Sequence, residues 1–292
     1  MKGSRHKNEA VARRTRDGFR EPLAAKRNRG LQRELYRIFM LIDPTFQQMQ
    51  SLASAIAREK FTLYRRVFGG DTKQATQLFL LDGALAGAFH ELLRILELTM
   101  RESMHRELKN AYGELWMLNK KIFDENTQMT MAIAAKRAAP SRVPERIIAE
   151  ITLGGWVALL QHGGFAATDK RRRINYKETL WRPALSRSFA NGKPKQDEVA
   201  KVAQRVRYLR NRVAHHESLA FGITQTGQRM DGLRVKQRPE NAYQDICVLA
   251  GFMNTDLAAW LSGCKDVELI LEHPLMVNAQ RFSENIPEYH LI

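Results

Sequence analysis

Residues 72–112 read TKQATQLFLLDGALAGAFHELLRILELTMRESMHRELKNAY, and this run decides the fold. Leu78, Leu81, Leu85, Phe89, Leu92, Leu93, Leu96 and Met100 recur at spacings of three and four. At about 100° per residue they fall on one face of an α-helix. Gly83 and Gly87 read as close-packing points or as a kink. So long an apolar stripe needs several partners, which makes this the central helix of a bundle.

The flanks continue the helical pattern. Residues 31–42 form a helix ended before Asp43-Pro44, and residues 45–68 a second that stops at Gly69-Gly70. Further on, helices are expected over 118–123 and 127–138. Pro140 and Pro144 then break the chain, and an apolar helix over 145–160 runs through Trp156 to Gly163-Gly164. A helix over 196–216 follows the loop Asn191-Gly192-Lys193-Pro194, and another covers 240–261. Between them, residues 222–239 are rich in Gly, Gln and Arg without a period, a mobile loop or short hairpin able to cover bound RNA. Alternating runs are too few for a sheet and there is no internal repeat, so the fold class is all-α. The organisation is a basic flexible arm (1–30), an N-terminal helical extension (31–70), a helical domain (71–265) and an acidic C-terminal tail (266–292).

Composition bounds the partners. A formal charge of +16 over 292 residues argues for a polyanion. The charge is uneven: residues 1–37 carry 12 Lys or Arg against 4 acids, whereas residues 245–292 carry 2 against 7. The basic start lacks the apolar segment of a secretory signal, and no run approaches the length of a membrane span, so a cytoplasmic protein without a membrane partner is expected. Cys247 and Cys264 then read as free thiols in a reducing compartment. Neither His nor Cys shows metal-ligand spacing, and no cofactor is expected.

The chemistry concentrates in Leu209-Arg210-Asn211-Arg212-Val213-Ala214-His215-His216-Glu217. Arg210 can pair with a phosphate bidentately, and His215 can move a proton near neutral pH. Asn211 lies four residues before His215, placed to orient its ring. By helical angle Val202, Val206, Leu209 and Val213 form the apolar stripe, which His216 continues, so His216 reads as a core or supporting residue, or as the acting base if the helix is distorted there. Arg210 and His215 flank opposite edges of the polar arc and do not converge on one helix. A second copy laid over Ala214 would bring a second Arg and His to the first pair, which favours a two-fold homodimer. Arg207 and Arg212 read as phosphate or surface contacts. Glu97 and Arg101, one turn apart, form an intrahelical ion pair on spacing alone. The run Lys170-Arg171-Arg172-Arg173 reads as a solvated loop or, beside Tyr176 and Trp181, as a strand-binding site using phosphate contacts and stacking.

The motif resembles the HEPN signature, and more closely its form in abortive-infection (Abi-like) proteins, Arg-Asn followed after three residues by His-His-Glu. Three further stretches resemble family elements in the same order over about residues 75–262. They are Leu96-Glu97-Leu98-Thr99-Met100-Arg101-Glu102-Ser103-Met104-His105, Ile151-Thr152-Leu153-Gly154-Gly155-Trp156, and Leu180-Trp181-Arg182-Pro183-Ala184-Leu185. Thr99, Ser103 and Gly155 depart from the commoner apolar or aromatic choices. The resemblance implies a HEPN-type bundle and a metal-independent endoribonuclease acting as a homodimer. It implies Arg210, Asn211 and His215 as the catalytic set, with Glu97 or Arg101 holding Arg210 or Asn211 from the neighbouring helix, and His216 in support. It also implies a role in phage defence or as a toxin, restrained by an antitoxin protein or a small RNA. RNA contacts are expected from Arg171, Arg172, Arg173, Arg207 and Arg212. Charge alone fits a non-catalytic RNA-binding or scaffold protein equally well. A DNA-binding regulator fits least, since no helix-turn-helix is evident.

Overall fold

The computed structural model describes residues 44–56, 58–140, 143–230 and 233–284, and most of them are helical. The expected arm and the helix over 31–42 lie outside the described residues. Thr45 opens α1 (Phe46–Ala55) with a capping box, its hydroxyl accepting from the Gln48 N–H while the Gln48 side chain accepts from the Thr45 N–H. The single helix expected over 45–68 is two, because Ile56 is extended and α2 (Arg58–Val67) starts afresh. Neither Gly nor Pro marks that break, so the helical period reads across it.

The central helix is α3 (Thr72–Tyr112, 41 residues), a rod of roughly 60 Å. Asp71 caps its start by accepting from the N–H groups of Lys73 at 2.8 Å and Gln74 at 3.1 Å, and Gly113, with φ +85°, ends it. The whole expected stripe from Leu78 to Met100 is buried. A methyl group added at Gly83 or Gly87 would meet no atom of the described residues within 4 Å, and the helix runs unbroken through both. Among the described residues, neither is a close-packing point.

A 3₁₀ turn (Trp116–Leu118) replaces the helix expected over 118–123, and α4 (Glu125–Arg137) follows, capped by Asp124. The helix expected over 145–160 divides into α5 (Pro144–Glu150) and α6 (Leu153–Ala158), because the Thr152 hydroxyl accepts from the Gly155 N–H and restarts the helix. Residues Lys177–Leu185 form a π-helix with Pro183 inside it. Proline has no N–H to donate to the Glu178 carbonyl five residues back, and the adjacent Thr179 carbonyl accepts from the Tyr112 hydroxyl.

The signature helix is α7 (Gln196–Ala214), packed on α3, α6 and α8 (Pro239–Met253). It runs antiparallel to α3: Glu97 faces Arg210, while Asp82, earlier in α3, holds Leu219 and Ala220 just beyond α7. The low-period segment after α7 is a hairpin, β1 (Ile223–Met230) and β2 (Leu233–Gln237), with Ile223 opposite Gln237 and Met230 opposite Leu233. The helix expected over 240–261 divides at Asn254, whose extended backbone ends α8 and whose side chain caps α9 (Thr255–Ser262).

The segment expected as an acidic tail is helical, as α10 (Asp266–Leu271) and α11 (Pro274–Glu284), and both pack on α3. Val267, Ile270, Met276 and Ala279 are buried there, and the Ser283 hydroxyl donates to the Phe221 carbonyl. Acidic residues line the outside of an apolar wall, which a charge count alone does not reveal.

Candidate nucleic-acid interface

Helix α7 ends at the motif. The His216 N–H bonds to the Val213 carbonyl and the Glu217 N–H to the Arg212 carbonyl at 2.9 Å, a Schellman closure. His216 occupies its left-handed position, with φ +53°. That position favours glycine, and an L-residue there costs about 1–2 kcal/mol. The helix therefore stops before His216 can join the apolar stripe. Both His215 and His216 are exposed, which corrects the reading of His216 as a core residue. The His215 backbone has also left helical geometry, at φ −96° and ψ 9°. Its N–H still bonds the Asn211 carbonyl at 2.9 Å, but no hydrogen bond joins the Asn211 amide to the ring.

Arg210 lies in a groove of about 440 Å³ between α3 and α7, walled by His90, Arg94, Glu97 and Arg101 on one side and by Arg210, Val213 and Ala214 on the other. Three guanidiniums and an imidazole thus surround one carboxylate. Glu97 is 18% exposed and divides its oxygens, one 3.3 Å from Arg101 Nη2 and the other 3.8 Å from Arg210 Nε. Arg210 keeps 39% of its side chain exposed, and the buried Arg101 Nε has no hydrogen-bond partner among the described residues. A phosphate entering the groove would find donors on both walls, held by a carboxylate from behind. His215 follows Ala214 at the groove's end but does not line it.

Asp82 fixes the chain just past the motif. It is buried, and accepts from the Tyr64 hydroxyl at 2.6 Å and from the N–H groups of Leu219 at 3.0 Å and Ala220 at 2.9 Å. Burial pushes its carboxyl above the usual range, against the pull of those donors. Arg212 is a strut between the helix end and the hairpin: its guanidinium donates to the Thr224 hydroxyl at 2.9 Å and lies 3.4 Å from Glu217. Arg207 lies over Gly154, where an added Cβ would stand 3.3 Å from its Nε. His105 faces away from the groove and accepts from the Trp116 indole at 3.0 Å, and burial lowers its pKa.

Arg171, Arg172 and Arg173 are exposed, but the aromatic partners expected for them are not available: Tyr176 is 1% exposed and Trp181 8%. The Tyr176 hydroxyl accepts from the Asp124 N–H, and Trp181 stacks on Phe189.

Two groove residues, His90 and Arg94, and the buried Asp82 escaped the sequence reading although a signal existed. His90, Arg94, Glu97 and Arg101 recur at four, three and four, a polar stripe parallel to the apolar one. Asp82 falls on the apolar stripe between Leu78 and Leu85, which marks a buried, partnered carboxylate.

Cys247 and Cys264 are free, and burial raises both thiols. Among the described residues no group of three His, Cys, Asp or Glu is placed to hold a metal ion, and no helix is long and apolar enough to cross a membrane. No family model matches the chain, and neither does any curated protein or solved structure.

Proposed function

We propose that the protein is a metal-independent endoribonuclease of HEPN type whose reacting groups are Arg210 and His215. The observation that carries this reading is the presentation of an exposed His215 at the end of α7, one and a half turns from Arg210 in a groove with a strong excess of cations. His215 takes the proton from a ribose 2′-hydroxyl, whose oxygen attacks the adjacent phosphorus. The bond to the 5′ oxygen breaks, leaving a 2′,3′-cyclic phosphate and a 5′-hydroxyl. Arg210 stabilises the charge growing on the phosphoryl oxygens, and Glu97 and Arg101 position it. His215 does not line the Arg210 groove, so a second copy over the exposed Ala214 supplies the opposing pair and protonates the leaving oxygen. The HEPN-like motifs support this arrangement, together with a role in phage defence or as a toxin restrained by an antitoxin protein or small RNA.

A single-stranded RNA and its fully 2′-O-methylated counterpart separate the possibilities. Cleavage of the first alone supports the mechanism. Retention of both without cutting favours an RNA-binding or scaffold protein.

A further inference from the structure

A short two-stranded ribbon stands at the other end of α7. Residues 164–166 pair with 172–174: the Ala166 N–H donates to the Arg172 carbonyl and the Ile174 N–H to the Gly164 carbonyl, both at 2.8 Å, and Phe165 lies opposite Arg173. Directly opposed residues share a face. Phe165 and Arg173 therefore point the same way, and the Arg173 guanidinium lies 5.3 Å from the centre of the Phe165 ring. Ala166 and Ile174 face inward and are buried. The root is tightly built: a Cβ at Gly163 would stand 2.2 Å from the Ile174 carbonyl oxygen, and the Glu125 N–H donates to the Phe165 carbonyl at 2.9 Å.

The tip beyond this root is exposed and basic. Residues 162–177 hold five Lys or Arg and one acid, Asp169, whose carboxylate accepts from the Arg171 N–H and shapes the turn. Lys170 is paired with Glu125, whereas Arg171 and Arg172 are exposed at the turn between the two strands, and Phe165 is 50% exposed. An exposed aromatic ring overlaid by a guanidinium, with two more exposed cations in the adjoining turn, offers what a single strand requires: a planar surface for a base and charges for the flanking phosphates.

We propose that this ribbon is a second RNA-binding site, which stacks one unpaired base on the Phe165–Arg173 pair and holds the adjacent phosphates through Arg171 and Arg172. Gln196 at the start of α7 bonds the Leu160 and Gln161 carbonyls beside the ribbon root, and Arg210 lies 14 residues further on, roughly 21 Å at the helical rise. A strand anchored on the ribbon reaches the groove about six stacked nucleotides away at ~3.4 Å each. The ribbon shares with the cleavage reading its ligand class, and is tested by binding alone.

The test is fluorescence anisotropy of the full chain with a labelled, fully 2′-O-methylated 20-nucleotide single strand, which cannot be cut by 2′-hydroxyl attack. Phe165→Ala is expected to weaken binding about 5- to 150-fold with little change in salt slope. Arg171→Ala/Arg172→Ala is expected to reduce the slope of log affinity against log salt by about 1.4. Unchanged affinity in both variants would overturn the proposal, as would equal Phe165→Ala losses on the single strand and on a blunt duplex. A wild type that binds this strand but leaves unmodified RNA whole would sink the nuclease reading and leave the ribbon standing.

Discussion

Replacing Asp82 probes how the signature is held. Asp82→Ala strands three buried donors, the Tyr64 hydroxyl and the N–H groups of Leu219 and Ala220. Each orphaned donor costs about 1–3 kcal/mol, so even the low end of the sum is about 3 kcal/mol. For a domain of this size that lowers the melting temperature by roughly 6–12 °C. Asp82→Asn keeps the shape and an acceptor while removing a charge that burial disfavours, and is expected to stay within about 1 kcal/mol of wild type. The two variants differ further with pH. Because the folded Asp82 carboxyl is raised, its contribution is fully present below the unfolded value and is lost as pH rises through the folded value. Wild type therefore gains on Asp82→Asn as the solution is acidified. Thermal denaturation followed by circular dichroism reads all three proteins. An alanine variant melting with wild type would refute the reasoning, because the segment after His216 would then not depend on this carboxylate.

Three other perturbations address the site and its frame. His216→Gly removes the side chain from a left-handed position and is expected to stabilise the fold by about 1 kcal/mol, or ~2–4 °C, measured by calorimetry; it also leaves cleavage intact if His215 is the base. Glu97→Gln leaves Arg101 and Arg210 without their shared counter-charge, and steady-state kinetics should show kcat falling about tenfold with no rise in KM; the opposite split would remove Glu97 from its positioning role. Burial lowers the pKa of both His105 and His273, so their contribution to stability is present above about pH 6.5 and is lost as pH falls through the folded values. Melting temperature should thus drop on acidification, and less steeply in His105→Gln; parallel curves would count against it.

What the sequence reveals and what it hides follow from the range of the interactions. The bounds of α3 are legible because Asp71, an uninterrupted apolar period and Gly113 are local signals. The break at Ile56 is not, since neither Gly nor Pro marks it, and at Thr152 and Asn254 a capping side chain stands at the break but the apolar period continues on both sides and hides it. Arg210 and Glu97 could be paired in advance only through resemblance, because 113 positions separate them in a sequence that carries no register between helices. The end of α7 misled for a related reason: a helical wheel places His216 on the apolar stripe, but the Schellman closure begins one residue earlier. Phe165 was hidden among glycines and alanines, where a single aromatic has no period to announce which face it takes.

Cleavage of a labelled single-stranded RNA by purified wild type, Arg210→Ala and His215→Ala, with analysis of the new ends, bears most directly on the role given to this guanidinium and imidazole. Wild type should leave 2′,3′-cyclic phosphate and 5′-hydroxyl ends in the presence of EDTA, and both variants should leave the RNA whole while keeping the helical signal of wild type. Cutting by both variants at the wild-type rate, or products ending in a 3′-hydroxyl, would contradict it.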